Sequence, residues 1–218
     1  MLKERIPETK IGIQGEINVQ IYDTMQRRLK DKGWLATDQI IETGINSGIV
    51  LEVGPGPGYL GLEWLKKTTG TRLNAIEISN DMIDIARKNA SEYKLEERVI
   101  YIEGDAQSLP FQDNFFDAIF SNGSLHEWSN PEKILSEMYR VLRKEGRIFI
   151  SDFKRNLSFI IRCFFYLAAK PKAIRPGLFT SLNAAYTKEE IDLIIKKTSF
   201  KNYEIKTNPM GLVITGKK

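Results

Sequence analysis

Apolar positions along the chain alternate between short runs and helix-spaced stripes. Ile49–Val53 is an apolar run followed at once by glycines, which predicts a buried strand. Tyr59–Thr68 carries Leu62 and Leu65 at helical spacing, and Thr69–Gly70 ends that helix. Leu73–Ile78 predicts a second strand. Asn80–Tyr93 places Met82, Ile85 and Ala86 on one helix face, with Ser79 or Asn80 as the cap. Val99–Glu103 and Phe116–Ser121 predict a third and a fourth strand. Pro131 suits the first turn of a helix whose buried stripe is Ile134, Leu135, Met138, Val141 and Leu142. Glu145–Gly146 then turns into a fifth strand, Arg147–Asp152. Thr187–Glu190 is a capping box opening a helix through about Thr198. Asn202–Lys206 and Gly211–Gly216 close the chain as two strands around the Thr207–Met210 turn.

Repeated strand–helix–strand units require an α/β fold with a mainly parallel sheet and right-handed crossovers. The last two strands are joined by too short a turn to be both parallel to that sheet, so an antiparallel strand is expected near one edge. A length of 218 residues suits one such domain. Its expected parts are a helical cover over residues 1–45, a ligand-binding core over 46–152, an insertion over 153–186, and a closing helix with a β-hairpin over 187–218.

Composition narrows the chemistry. The single cysteine, Cys163, cannot form an internal disulfide, which fits a reducing compartment and rules out sites built from several thiolates. No metal site is expected. The opening MLKERIPETK has no apolar stretch, and the longest apolar run, Leu157–Ala169, is broken by Arg162 and falls short of the ~20 residues of a membrane span. The expected location is the cytoplasm. The net charge of +4 is uneven: Lys154, Arg155, Arg162, Lys170, Lys172 and Arg175 occur with no acidic residue among them, so the rest of the chain is net negative. A basic-apolar segment of this kind differs from the broad basic face of a nucleic-acid binder, and no nucleic-acid partner is expected.

The candidate site begins at Glu52-Val53-Gly54-Pro55-Gly56-Pro57-Gly58. Glycines directly after a buried strand allow a tight turn and a close backbone approach to a ligand. Gly56 to Gly61 also satisfies the dinucleotide pattern G-x-G-x-x-G, so a nicotinamide enzyme is a competing reading. The register opposes it, because Gly54 closes the strand, and counted from Gly54 the third glycine position is Tyr59. Pro55 and Pro57 also remove two N–H donors that a pyrophosphate would use. Glu77, about 20 residues on at the end of the second strand, can accept both ribose hydroxyls of an adenosine. Asp105, after the third strand, can accept from an adenine amine.

Taken together, VLEVGPGPGYL, AIEIS, GDAQSLPF, FDAIFSNGSLHEW and the run from Pro131 to Asp152 resemble the class I, Rossmann-like S-adenosylmethionine-dependent methyltransferases, in particular their quinone and small-molecule branch. The resemblance covers residues 50–152. It implies a seven-stranded sheet of order 3-2-1-4-5-7-6 with the seventh strand antiparallel and helices on both faces. It further implies that S-adenosylmethionine is the cofactor and S-adenosylhomocysteine the product. Glu52, Gly54, Gly56 and Gly58 would lie along the methionine part, Glu77 and Ile78 at the ribose, Asp105 and Ala106 at the adenine, and Asn122 at the amino-acid end. Tyr22 would belong to a helical cover over the cofactor.

An activated sulfonium needs mainly alignment and water exclusion, worth on the order of 7–11 kcal/mol, against roughly 3–5 for a general base. A base is therefore optional, and His126, the only histidine, is the candidate beside the reading that it packs in its loop next to Glu127 and Trp128. Ser121-Asn122-Gly123-Ser124 differs from the Asn-Pro-Pro-aromatic motif of nucleic-acid amine methyltransferases. Gln26, Lys30 and the stretch Arg143–Glu145 depart from the quinone methyltransferase signatures that Tyr22–Met25 otherwise begins to match. The expected reaction is methyl transfer to a small apolar or lipid-like molecule; the alternatives are a non-catalytic S-adenosylmethionine-binding regulator and an NAD-binding oxidoreductase. For residues 154–175, a substrate lid, a peripheral membrane contact and a subunit contact compete, and the lid is preferred because the reaction needs closure.

Overall fold

The computed structural model describes residues 4–8 and 12–218; residues 1–3 and 9–11 of the expected N-terminal cover lie outside the described residues. Its strands are β1 (Ile49–Val53), β2 (Arg72–Glu77), β3 (Val99–Glu103), β4 (Phe116–Asn122), β5 (Leu142–Phe153), β6 (Asn202–Thr207) and β7 (Gly211–Lys217). They form one sheet in the order β3-β2-β1-β4-β5-β7-β6. β1 to β5 pair in parallel, while β7 runs antiparallel to both β5 and β6. The sheet order and the antiparallel strand are those the family resemblance implied.

Among the described residues eight α-helices accompany the sheet: α1 (Glu16–Asp31), α2 (Thr37–Glu42), α3 (Tyr59–Lys67), α4 (Asn80–Tyr93), α5 (Pro131–Val141), α6 (Phe159–Ala168), α7 (Arg175–Ala184) and α8 (Lys188–Ile195). Side chains alternate across the sheet, so successive residues of one strand enter different cores. Leu51 and Val53 of β1 and Ile119 of β4 pack with Ile134, Leu135 and Met138 of α5 and Ile191 of α8. Val50, Ala118 and Phe120 from the same two strands pack with Leu62, Trp64 and Leu65 of α3 and Ile83 of α4. This double burial is why the central strands read as continuous apolar runs. Trp64 is fully buried and donates its indole N–H to the Ile45 carbonyl at 2.7 Å, which satisfies its polar atom.

Local chemistry sets the element ends. The Ser79 hydroxyl accepts from the Met82 N–H at the start of α4, and Asn130 accepts from Lys133 N–H just before Pro131 opens α5. Both halves of the Thr187–Glu190 capping box are present. Two expectations shift. The fifth strand begins at Leu142, not Arg147: Phe116 pairs with Leu142 and Ala118 with Arg147, so residues 143–146 bulge out of the ladder with Glu145 at φ 63°. The turn expected at Glu145–Gly146 is therefore an irregularity inside the strand. The helix opened by Thr187 ends at Ile195, where the Thr198 hydroxyl donates to the Ile195 carbonyl at 2.7 Å.

Candidate active site

The carboxyl ends of β1 to β4 open onto a cleft where the strand order reverses between β1 and β4. In open α/β sheets this reversal leaves a crevice that neighbouring crossovers cannot fill. α1 and the residues before it supply Gly12, Ile13, Tyr22 and Gln26 to its wall. Glu52, Gly54, Gly56, Glu77, Ile78, Asp105, Ala106, Asn122 and Tyr22, all singled out in the sequence, line it.

Gly58 is the exception. It does not line the cleft but caps α3 in the left-handed conformation, at φ 83°. A Cβ there would lie 2.5 Å from the Tyr101 hydroxyl. Its glycine is demanded by the α3–α4–β3 packing. Gly54, at φ 69°, does stand on the cleft, and a Cβ on it would lie 2.7 Å from the Ser124 Cβ. The loop after β4 is thereby pressed onto the end of β1. Hydroxyls of Ser121 and Ser124 donate to the Val53 carbonyl at 2.7 and 3.3 Å, and the Trp128 indole donates to Ser124 at 3.2 Å.

Glu77 is the anchor of the cleft floor. One carboxylate oxygen accepts from the Gly56 N–H at 3.0 Å, the other from Ile78 and Ser79 N–H at 2.9 and 3.1 Å. Burial raises its pKa, and these three N–H groups pull the other way. A carboxylate offers about four acceptor positions, so one remains for a ligand hydroxyl. Glu52 is 2% exposed with one oxygen lacking a hydrogen-bond partner; burial and the nearby Glu77 charge push it up to about 8, against the Gly61 N–H. Asp105 stands exposed on the rim, its oxygens accepting from the backbone and side-chain amides of Gln107, both at 2.8 Å. Asn122 accepts from the Ser151 hydroxyl at 2.5 Å, which fixes its amide beside the β4 end.

His126 lies behind the wall. It is 3% exposed and does not line the cleft. Its Nδ1 sits 2.9 Å from both oxygens of Asp152, and its Nε2 lies 3.8 Å from Glu127 and 3.9 Å from Glu8. Burial lowers its pKa, but Asp152, Glu127 and Glu8 together overcome that and push it up to about 9. Held by Asp152 in this way, the imidazole retains its proton near neutral pH, which supports the reading of His126 as packed in its loop and balancing neighbouring carboxylates over that of a base. The neighbour that does reach the cleft is Glu127, raised to about 7 by burial, with His126 opposing. Glu127, Gln107, Gln26 and Trp128 were not singled out as ligand contacts in the sequence; only their place after β3 and β4 or on the cover helix marked them.

Among the described residues the lining contains Glu52, Glu77, Asp105 and Glu127 and no lysine or arginine. Such a lining suits a ligand that offers hydrogen-bond donors or positive charge better than it suits a pyrophosphate.

Residues 51–150 match the methyltransferase-domain family. The ubiquinone/menaquinone biosynthesis C-methyltransferase of Blochmanniella pennsylvanica is 32% identical over 106 residues, covering 48% of this chain and 42% of that protein. The demethylmenaquinone methyltransferase of Thermus thermophilus is 32% identical over 137 residues, covering 61% and 60%. The matched region thus spans about half the length of these curated relatives. Among solved structures, a protein of Methanococcus maripaludis assigned to the S-adenosyl-L-methionine-dependent methyltransferases superposes with a TM-score of 0.76 at 23% identity, covering 95% of this chain and 97% of that one. A S-adenosylmethionine-dependent methyltransferase from Aquifex aeolicus superposes with a TM-score of 0.72 at 20% identity, covering 94% and 98%. These two likenesses are likenesses of fold.

Proposed function

We propose, for a chain that belongs to the class I S-adenosylmethionine-dependent methyltransferases, that it transfers the cofactor's methyl group to a small apolar or lipid-like acceptor by in-line displacement. The observation that carries the reading is the cleft at the strand reversal, where Glu77 keeps an acceptor position free and where, among the described residues, four carboxyl groups and no basic side chain form the lining. A sulfonium with an α-ammonium group suits that lining better than a dinucleotide does.

The residues present fit the cofactor. The one acceptor position left on Glu77 suits a ribose hydroxyl, Ile78 and Ala106 would offer apolar contact to a purine, and Asp105 on the rim would accept from the adenine amine. Gly54 and Gly56 would let backbone approach the methionine part, and Asn122 and Glu52 would hold its amino-acid end. When bound, the cofactor supplies a methyl group already activated by positive sulfur. The chain's part is to orient the acceptor against that methyl and keep water out, with Tyr22, Trp128 and Glu127 as the remaining wall. That no cation stands in the lining among the described residues disfavours a phosphorylated acceptor, and the quinone methyltransferases among the relatives make an apolar one the first choice.

Calorimetry with S-adenosylmethionine, S-adenosylhomocysteine and NAD tests the first half. Binding of both sulfur cofactors without NAD is the expected result; tight NAD binding with no response to either would overturn it. Release of S-adenosylhomocysteine over a panel of apolar hydroquinones and polar amines then tests the acceptor class, and turnover confined to the amines would overturn that half.

A further inference from the structure

The segment after β5 carries its apolar side chains on the outside. Phe159, Ile160, Cys163, Phe164 and Leu167 share one face of α6 at helical spacing, and Phe159, Ile160 and Leu167 are 80%, 77% and 68% exposed. Tyr166 on the same helix and Phe179 on α7 extend the patch, their rings 5.8 Å apart. Six of the thirteen large apolar side chains exposed among the described residues fall within these 21 positions. The inner side of α6 is tied down: Phe165 packs edge-on against Phe153 at 5.3 Å, and the Arg162 guanidinium donates to the Arg155 carbonyl at 2.9 Å. None of residues 153–186 lines the cleft. The exposed apolar side chains of α6 are therefore separate from the cleft lining.

Charge indicates what meets it. No acidic residue occurs between Phe153 and Lys188. Lys170 and Lys172 are exposed beside Arg28 of α1, together lining a shallow depression, and the Arg175 guanidinium lies over the Tyr166 ring at 4.2 Å. In a two-fold dimer the same patch would meet itself, bringing these cations against their own copies with no carboxylate of the segment to balance them. An anionic lipid surface satisfies both halves: acyl chains accept the aromatic and aliphatic side chains, and headgroup phosphates accept the basic rim.

We propose that α6, with its basic flank, is a docking surface for an anionic membrane. The face is one helix thick from the site. Phe165 contacts Phe153, whose ring lies 6.0 Å from that of His126, next to Glu127 on the cleft wall. Docking by α6 would keep the chain at the surface in which an apolar acceptor dissolves.

The test is co-sedimentation of the full chain with phosphatidylcholine vesicles and with vesicles of phosphatidylcholine and phosphatidylglycerol. Binding is expected to the anionic vesicles only, weakening as salt is raised. Phe159→Glu with Leu167→Glu, at sites exposed enough to leave the fold intact, should weaken it at least tenfold, as should Lys170→Glu with Lys172→Glu. Thermal melting of each variant with S-adenosylhomocysteine, unchanged from wild type, certifies the fold independently of membrane binding. Failure of the wild-type chain to bind anionic vesicles would overturn the proposal, as would equal, salt-insensitive binding to both vesicle types. A wild-type dimer that the glutamate variants split, without vesicle binding, would assign the face to a second copy instead. None of these outcomes depends on whether the cleft takes the proposed methyl acceptor.

Discussion

His126, Glu127 and Glu52 share one electrostatic property: each holds its proton more tightly folded than unfolded. For His126, burial opposes the shift and Asp152 drives it to about 9, so its contribution to stability is complete below about 6.5 and lost as pH rises through 9. For Glu127 and Glu52, raised to about 7 and about 8, mainly by burial, the folded state again binds the extra proton, so stability declines as pH rises from the ordinary carboxylate range through those values. All three act in the same direction. The melting temperature should fall between pH 6.5 and 9, and His126→Gln should flatten the upper part of that fall; a flat profile in the wild-type chain would refute the assignment. On ligand binding, Glu77→Ala should weaken S-adenosylhomocysteine affinity by about 1–3 kcal/mol, since it leaves the Gly56 N–H and a ligand hydroxyl without their acceptor. Calorimetry reads this directly.

The elements carry two further expectations. Thr187→Ala removes the accepting hydroxyl of the α8 capping box and should cost about 1 kcal/mol in urea unfolding with an unchanged slope. Gly58→Ala forces a Cβ into a left-handed position against Tyr101 and should cost on the order of 1–3 kcal/mol while leaving cofactor affinity per folded molecule unaltered. That second result separates the packing glycine from Gly54 and Gly56 on the cleft. At this scale the sequence was most informative where periodicity and caps agreed: β1, β3, α4 and α5 lie where apolar spacing, Ser79 and Pro131 put them. It was least informative where the cause is non-local. The bulge at 143–146 exists because β4 and β5 pair on either side of it, and the six residues of α2 are too few for a period to show. His126 shows the same limit, since its charge state depends on Asp152, 26 residues away, and on Glu8, before the first helix.

For the whole molecule, cofactor binding and folding are coupled, because the cleft is assembled from four strand ends and the cover helix α1. S-adenosylhomocysteine at one hundred times its Kd should add about 2.7 kcal/mol, which for a chain of this size raises the melting temperature by roughly 5–10 °C. NAD at the same concentration should leave it unmoved. Coupled strand ends also explain how much of the site could be read from the chain. Glycines, Glu77 and Asp105 recur at strand–helix junctions, and a parallel sheet gathers those junctions on one edge. The wall formed by Gln26 and Glu127 depends on where α1 and the loop after β4 come to rest, which no local pattern specifies; Tyr22 was reached only through the family resemblance.

The hydrogen bond from the Gly56 N–H to Glu77 ties the glycine loop to the end of β2 without taking the carboxylate's last acceptor position. A ribose hydroxyl can then join Glu77 while the loop keeps its place. Association should need no loop-opening step, so in stopped-flow mixing the observed rate should rise in proportion to ligand concentration. A rate that levels off would show that the tie has to break first.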